Sequence, residues 1–228
     1  NNAFGLYSLS SNTTGDNNSA FGHYSLYYNT TGEGNVGIGS EALYSNTTGS
    51  LNTAVGYVSL WSNTTGYSNT SVGSGAMFSN TEGYRNTAVG LYTLRSNTTG
   101  SLNTALGYKA AYSATTAVQV TAVGYEALYN NTADYSTALG YRALYSNTSG
   151  AQNTAVGNST LLSNTTGSLN TALGYGVMVN NTTGGSNTAL GTSSLFSNTT
   201  GSYNTSVGAG SLYTNTTGDK NSAFGYAS

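Results

Sequence analysis

The chain repeats itself every 17 residues, and that short period limits the fold more tightly than anything else in the sequence. The glycine of an A-V-G-like triplet falls at Gly5, Gly22, Gly39, Gly56, Gly73, Gly90, Gly107, Gly124, Gly140, Gly157, Gly174, Gly191, Gly208 and Gly225. Every gap is 17 residues except Gly124 to Gly140, which is 16. The consensus unit reads N-T-A-V-G-Y-x-A/S-L-Y-S-N-T-T-G-S-x, and its positions are numbered one to seventeen with that glycine fifth. Helical repeats need about 33 to 34 residues for their two helices, so no unit has room for them. Asn, Thr and Gly dominate each unit and are poor helix formers.

The pattern inside the unit points to β-structure. Position four is always apolar, as at Phe4, Ile38, Val55, Leu106 and Leu173, and position nine is Leu or Met except at Ala111. Position three is small, position ten is usually aromatic, and position fifteen is glycine except at Ala117 and Asp134. T-A-V-G-Y suits a short strand and A-L-Y a second one. S-N-T-T-G is a turn, with Asn bonding its own backbone and Gly free to take positive φ. The expectation is therefore an all-β parallel β-solenoid of about 13 coils, two short strands and two bends per 17-residue coil. Coils spaced at about 4.8 Å give a stack on the order of 60 Å long. Positions four and nine are expected to form the interior columns. Asn at positions one and twelve should form amide ladders, as in cross-β stacks, and Thr at position two a hydroxyl ladder. Residues 1–228 read as a single repeat array excerpted from a longer fibrous protein. Its irregular stretch is 111–136, where Ala114, Val120 and Ser136 replace asparagine and one residue is missing.

Composition removes most functional classes. Charged residues are 5% of the chain, against roughly 25% in ordinary soluble proteins. The net charge of −2 exerts no pull on nucleic acid, and Arg85, Arg95, Lys109, Arg142 and Lys220 are scattered. No apolar run reaches the roughly 18 residues needed to insert in a membrane. Cysteine is absent and His23 is the only histidine, so a His/Cys metal site cannot be built. The acids Asp16, Glu33, Glu41, Glu82, Glu126, Asp134 and Asp219 do not recur from coil to coil, unlike the ligands of a calcium-binding β-roll. General acid/base chemistry needs paired carboxylates in a cleft, and a uniform stack offers none. The reading is that of a chain that is not an enzyme and takes no cofactor. N-T-T triplets match the glycosylation sequon, making Asn12, Asn29, Asn46, Asn63, Asn97, Asn164, Asn181, Asn198 and Asn215 candidate acceptors.

Apolar positions outnumber what a thin coil can enclose. Neighbours in a strand point to opposite faces, so one of the columns at nine and ten lies outside or under another chain. An apolar stripe along a stack marks an interface, so the chain is expected to self-associate, with threefold symmetry preferred. The units Asn52-Thr53-Ala54-Val55-Gly56-Tyr57, Asn103-Thr104-Ala105-Leu106-Gly107-Tyr108 and Asn170-Thr171-Ala172-Leu173-Gly174-Tyr175 resemble the head repeats of trimeric autotransporter adhesins. They also resemble repeats in phage tail-fibre-like surface proteins. The resemblance implies a left-handed parallel β-roll assembled as a homotrimer. It also implies an extracellular place, on a cell surface or virion fibre. Autotransporter units are usually shorter, and here S-N-T-T-G lengthens one bend. The function expected is a stiff structural and adhesive segment whose Asn/Thr/Ser/Tyr surface attaches to glycans or to host or abiotic surfaces. The alternative is an ice-binding solenoid that uses its Thr columns.

Overall fold

The computed structural model describes all 228 residues and contains no helix. The chain forms two compact units, Asn1–Val118 and Gln119–Ser228. The first carries β1 (Asn2–Phe4), β2 (Ser19–Phe21), β3 (Val36–Ile38), β4 (Thr53–Val55), β5 (Thr70–Val72), β6 (Thr87–Val89) and β7 (Thr104–Leu106). The second carries β8 (Thr121–Val123), β9 (Thr137–Leu139), β10 (Thr154–Val156), β11 (Thr171–Leu173), β12 (Thr188–Leu190), β13 (Thr205–Val207) and β14 (Ser222–Phe224). Within each unit, successive strands pair in parallel with equivalent positions opposite one another. Thr53 lies beside Thr70 and Val55 beside Val72 between β4 and β5, and Thr171 lies beside Thr188 between β11 and β12. Each unit is a parallel β-solenoid with one strand per coil.

The three strand residues occupy positions two to four, and their alternation sets the interior. The middle residue faces inward: Ala54, Ala88, Ala105, Ala138 and Ala172 are buried. The aliphatic residue at position four therefore faces outward. Ile38 is 42% exposed and Leu106 45%, and Val55 is half-buried. This corrects the expectation that position four lines the core. The alanine column takes the inward side of the strand, and a side chain one residue further on must point away from it. Position nine does line the core: Leu26, Leu43, Leu60, Met77, Leu94, Leu128, Leu144, Leu161, Met178 and Leu195 are fully enclosed. Each such burial stabilises by about 1.5–3 kcal/mol.

The expected second strand is absent, and A-L-Y lies in a turn. Position eight is buried as well as nine, at Ser59, Ala76, Thr93 and Ala143 for example. A strand cannot turn two consecutive side chains inward, so the backbone adopts positive φ at positions seven and nine. Val58 has φ 50° and Leu60 51°, and Lys109 and Ala111 repeat the pattern at 52° and 50°. Position seventeen does the same, as at Leu51 (60°) and Leu102 (62°). These left-handed conformations cost non-glycine residues about 1–2 kcal/mol each. Gly34, Gly75, Gly176 and Gly210, at positions seventeen or seven, meet the same demand with φ between 61° and 68°. The turn still bonds coil to coil. The Leu60 amide donates to the Ala76 carbonyl at 3.0 Å, and Val58 donates backward to Ser40 at 3.1 Å. Position five demands glycine most strongly. Gly56 has φ 132°, and a Cβ there would stand 2.7 Å from the carbonyl carbon and oxygen of Gly73.

Most of the remaining core is polar. Asn at position one bridges two coils: the Asn52 amide and its Nδ2 both donate to Asn35 Oδ1, at 3.0 and 3.2 Å. Asn at position twelve makes the second ladder, with Asn63 Nδ2 donating to Asn46 Oδ1 at 2.7 Å and Asn80 Nδ2 to Asn63 Oδ1 at 2.8 Å. Both ladders converge on the carbonyl of position fifteen. Gly66 O accepts Asn52 Nδ2 at 2.8 Å and Asn63 Nδ2 at 3.0 Å. The threonine hydroxyls that join coils sit at position thirteen, where Thr47 Oγ1 donates to Thr64 O at 3.1 Å. The backbone amides of Thr47, Thr48 and Gly49 donate to that same oxygen. The hydroxyl ladder expected at position two is replaced by this one, because position two faces outward with position four.

Candidate functional surface

On the outer surface, three sets of side chains recur along the stacked coils. Threonine at position two and the aliphatic or aromatic residue at position four share the outer strand face. Position six adds Tyr57, Leu91, Tyr125, Tyr141 and Tyr175, all exposed. The first unit thus carries a stripe through Phe21, Ile38, Val55, Tyr57, Leu91 and Leu106, and the second one through Tyr125, Leu139, Tyr141, Leu173 and Tyr175. A periodic apolar stripe of this extent is what solvent-facing surfaces of monomers usually avoid.

Position ten behaves differently. Its rings in the first unit, such as Tyr27, Tyr44, Trp61 and Phe78, are half-buried and stack on their neighbours. Tyr27 and Tyr44 lie 5.5 Å apart, Tyr44 and Trp61 5.3 Å, and Trp61 and Phe78 5.3 Å, all within 10° of parallel. The column at ten thus covers itself along the stack. Arg95, itself at position ten, ends this run with its guanidinium 4.6 Å from the Phe78 ring centre, a cation–π contact.

Position seven carries the charges that accompany the rings. Glu41 accepts the Trp61 Nε1 proton at 2.9 Å. Lys109 Nζ lies 5.6 Å from the Tyr112 ring centre. In the second unit Arg142 Nε donates to Glu126 at 2.8 Å and covers Tyr145 at 5.1 Å. The hydrogen bond to Glu126, rather than burial, raises the Arg142 pKa further above its ordinary value. Tyr44 is likewise pushed up, mainly by its hydrogen bond with Tyr28. Sequence reading passed over this grouping of charge and ring. Its signal was an acidic or basic residue three positions before an aromatic one, at Lys109–Tyr112, Glu126–Tyr129 and Arg142–Tyr145.

The sequon asparagines lie inside. Asn29, Asn46, Asn63, Asn97, Asn164, Asn181 and Asn198 are fully enclosed, and Asn12 and Asn215 are half-buried. Asn46, Asn164 and Asn198 use Nδ2 twice, once along the ladder and once to the bend glycine. An Nδ2-linked glycan would replace one of those hydrogens and would have to pass through the core. The candidate acceptors are thus the ladder asparagines themselves, with their side-chain amides engaged inside the coil. The His23 ring lies against the neighbouring Tyr24 ring, 4.0 Å away.

The irregular stretch has a physical logic. Ala114 presents a methyl group where position twelve elsewhere presents an amide. Asn97 Oδ1 consequently lies buried with no hydrogen-bond partner. Ala117, at position fifteen of the same coil, is eased by the same change. At an ordinary coil a Cβ on Gly32 would meet the Gly49 carbonyl oxygen and, at 2.6 Å, Asn29 Oδ1; Ala114 removes the second of these obstacles. Ala111, Ala114 and Ala117 are all buried, as is Val120 at position one. In the 16-residue coil, Asn131 Nδ2 donates to Ala133 O at 2.6 Å, so Ala133 fills position fifteen. Asp134 therefore stands at sixteen rather than at fifteen, and the missing residue is the second threonine of the bend.

Compared with known proteins, the chain matches no family model, no curated protein and no solved structure.

Proposed function

We propose that the chain is a structural and adhesive segment of an extracellular fibre, at a cell surface or on a virion. The observation that supports this reading most is a division of labour that recurs in almost every coil. Inside, two asparagine ladders and the position-nine column lock each coil to the next. Outside, the same few side chains recur at fixed height. Such a surface makes weak contacts many times over, and repetition turns them into avidity. The Asn/Thr/Ser/Tyr exterior suits glycans and host or abiotic surfaces. No catalytic role belongs to this reading.

The partner in the same reading is the chain itself, as a homotrimer of the kind the adhesin-like units imply. The seam is the stripe at positions four and six, not the self-covering rings at ten. Copies in register offer the same apolar residue at every coil, and rotational symmetry repeats the contact. Light scattering at micromolar concentration tests it. A trimer mass that falls when Leu106 and Leu173 are changed to Lys supports the reading, and a folded monomer refutes the assembly.

The second reading, an ice-binding solenoid, is favoured by one observation. Position two is threonine from β4 through β13, and in both units it faces outward beside position four. Thermal hysteresis separates the two: a freezing-point gap abolished by Thr87→Tyr and Thr154→Tyr favours ice, and no gap disposes of it.

A further inference from the structure

We propose that Tyr67 and Tyr84 form a site of oxidative cross-linking, joining two successive coils through a carbon–carbon bond between their rings. Both occupy position sixteen, on the bend that follows the N-T-T-G segment. Their ring centres are 4.9 Å apart and their planes differ by 1°. Tyr67 is 41% exposed and Tyr84 half-buried, so a small oxidant reaches the pair from solvent. Because the side chains leave equivalent positions of stacked coils, each ring edge lies beside its counterpart. The ladders below hold that register: Asn69 Nδ2 donates to Asn52 Oδ1 at 3.1 Å, and Asn80 Nδ2 to Asn63 Oδ1 at 2.8 Å.

Other stacked tyrosines are less suited. Tyr44 adjoins Trp61 in its stack and is bonded to Tyr28, so a radical there is shared. Tyr141 and Tyr145 both lie under the Arg142 guanidinium, which disfavours an electron-poor ring. Tyr67 and Tyr84 have each other as their only ring contact. The chain contains no cysteine, so this bond is a covalent staple of a kind its composition allows.

The chemistry is closed by a haem peroxidase and hydrogen peroxide. Each phenol loses one electron and one proton, and the unpaired spin spreads onto the ring carbon beside the hydroxyl. The two carbons join, and each hydrogen at the new bond moves to its own oxygen as the ring regains aromaticity. Two protons and two electrons leave in total, and they reduce one peroxide to two waters. Held side by side, the rings react as one unit instead of meeting by diffusion.

The experiment treats the full chain, dilute, with a haem peroxidase and limiting hydrogen peroxide, then cleaves after glutamate and weighs the fragments. Glu82 lies between the two tyrosines, so the link joins peptide 42–82 to peptide 83–126 with the loss of two hydrogens. That joined species should dominate the dityrosine products, disappear in Tyr67→Phe and in Tyr84→Phe, and persist in Tyr57→Phe. In chain unfolded by guanidinium its yield should fall roughly tenfold or more. Dityrosine that joins separate chains, a linked species that survives Tyr67→Phe, or equal yield from unfolded chain would each overturn the assignment.

Discussion

Removing one ladder asparagine tests how the bend is held. In Asn63→Ala, Asn46 Oδ1 loses the proton it receives at 2.7 Å, and Asn80 Nδ2 loses an acceptor at 2.8 Å. Both groups are buried. Asn80 Nδ2 keeps its bond to the Gly83 carbonyl at 3.1 Å, so Asn46 Oδ1 is the group left stranded, and the loss should be about 1–3 kcal/mol. The companion change, Gly66→Ala, places a Cβ against Asn63 Oδ1 and the Gly83 carbonyl, an overpacking worth about 1–3 kcal/mol. The two costs share one of their causes, because the asparagine oxygen is one of the atoms the methyl strikes. Ala114 and Ala117 occur together in the natural chain in this relation. The double variant should therefore be less damaged than the sum of the singles, with a coupling of about 1 kcal/mol or more. Stacked coils unfold locally and not as one unit, so the measurement is native-state hydrogen exchange on amides between residues 46 and 83. Additivity within about 0.5 kcal/mol would show that the asparagine does not dictate the glycine.

Three further outcomes follow from the same geometry. Leu94→Asp buries an unpaired carboxylate at a fully enclosed site; it should cost several kcal/mol, seen as faster exchange confined to about residues 77–111, and unchanged exchange would place Leu94 outside the core. Leu51→Gly relieves an exposed left-handed residue (φ 60°) and should raise local stability by about 0.5–1 kcal/mol; a loss of that size in exchange rates would mean the leucine contributes more by contact than it costs by strain. Ile38→Lys changes a side chain 42% exposed on the outer strand face. In the dissociated single chain it should leave the circular dichroism spectrum unaltered and shift stability by no more than about 0.5 kcal/mol, whereas marked destabilisation of that single chain would return position four to the interior.

Much of this architecture was legible in the sequence. The period fixed the coil, the asparagine columns announced the ladders, and leucine at nine lies where its recurrence suggested. The errors share a source. An invariant apolar column invites an interior assignment, but positions three and four adjoin in a strand and only one can face inward. Alanine, the smaller, took the inside because the position-nine side chain already fills the thin core. The A-L-Y segment looked like a strand because propensity says nothing of φ. Leu60 at 51° is a conformation leucine seldom takes, imposed here by the need to turn positions eight and nine inward together. The sequon asparagines are also the position-twelve residues that recurrence marked for a ladder. A turn asparagine is usually exposed, whereas Asn63 folds back into the coil to reach both Gly66 O and Asn46 Oδ1. The Asp134 offset is legible only through the hydrogen bond from Asn131 to Ala133.

The amide ladders have a consequence for the surroundings the stacks tolerate. Their donors and acceptors are neutral at every ordinary pH, and Glu126, held by Arg142, is the only ionisable side chain among the buried ones. Acid unfolds most proteins by protonating carboxylates that the native state has paired, and salt weakens those that depend on surface charge. With five basic and seven acidic residues in 228, this chain offers either agent little to act upon. Its cohesion should carry almost unchanged from fresh water to brine and from neutral to sour conditions, an indifference to the medium that comes from building with amides in place of ions.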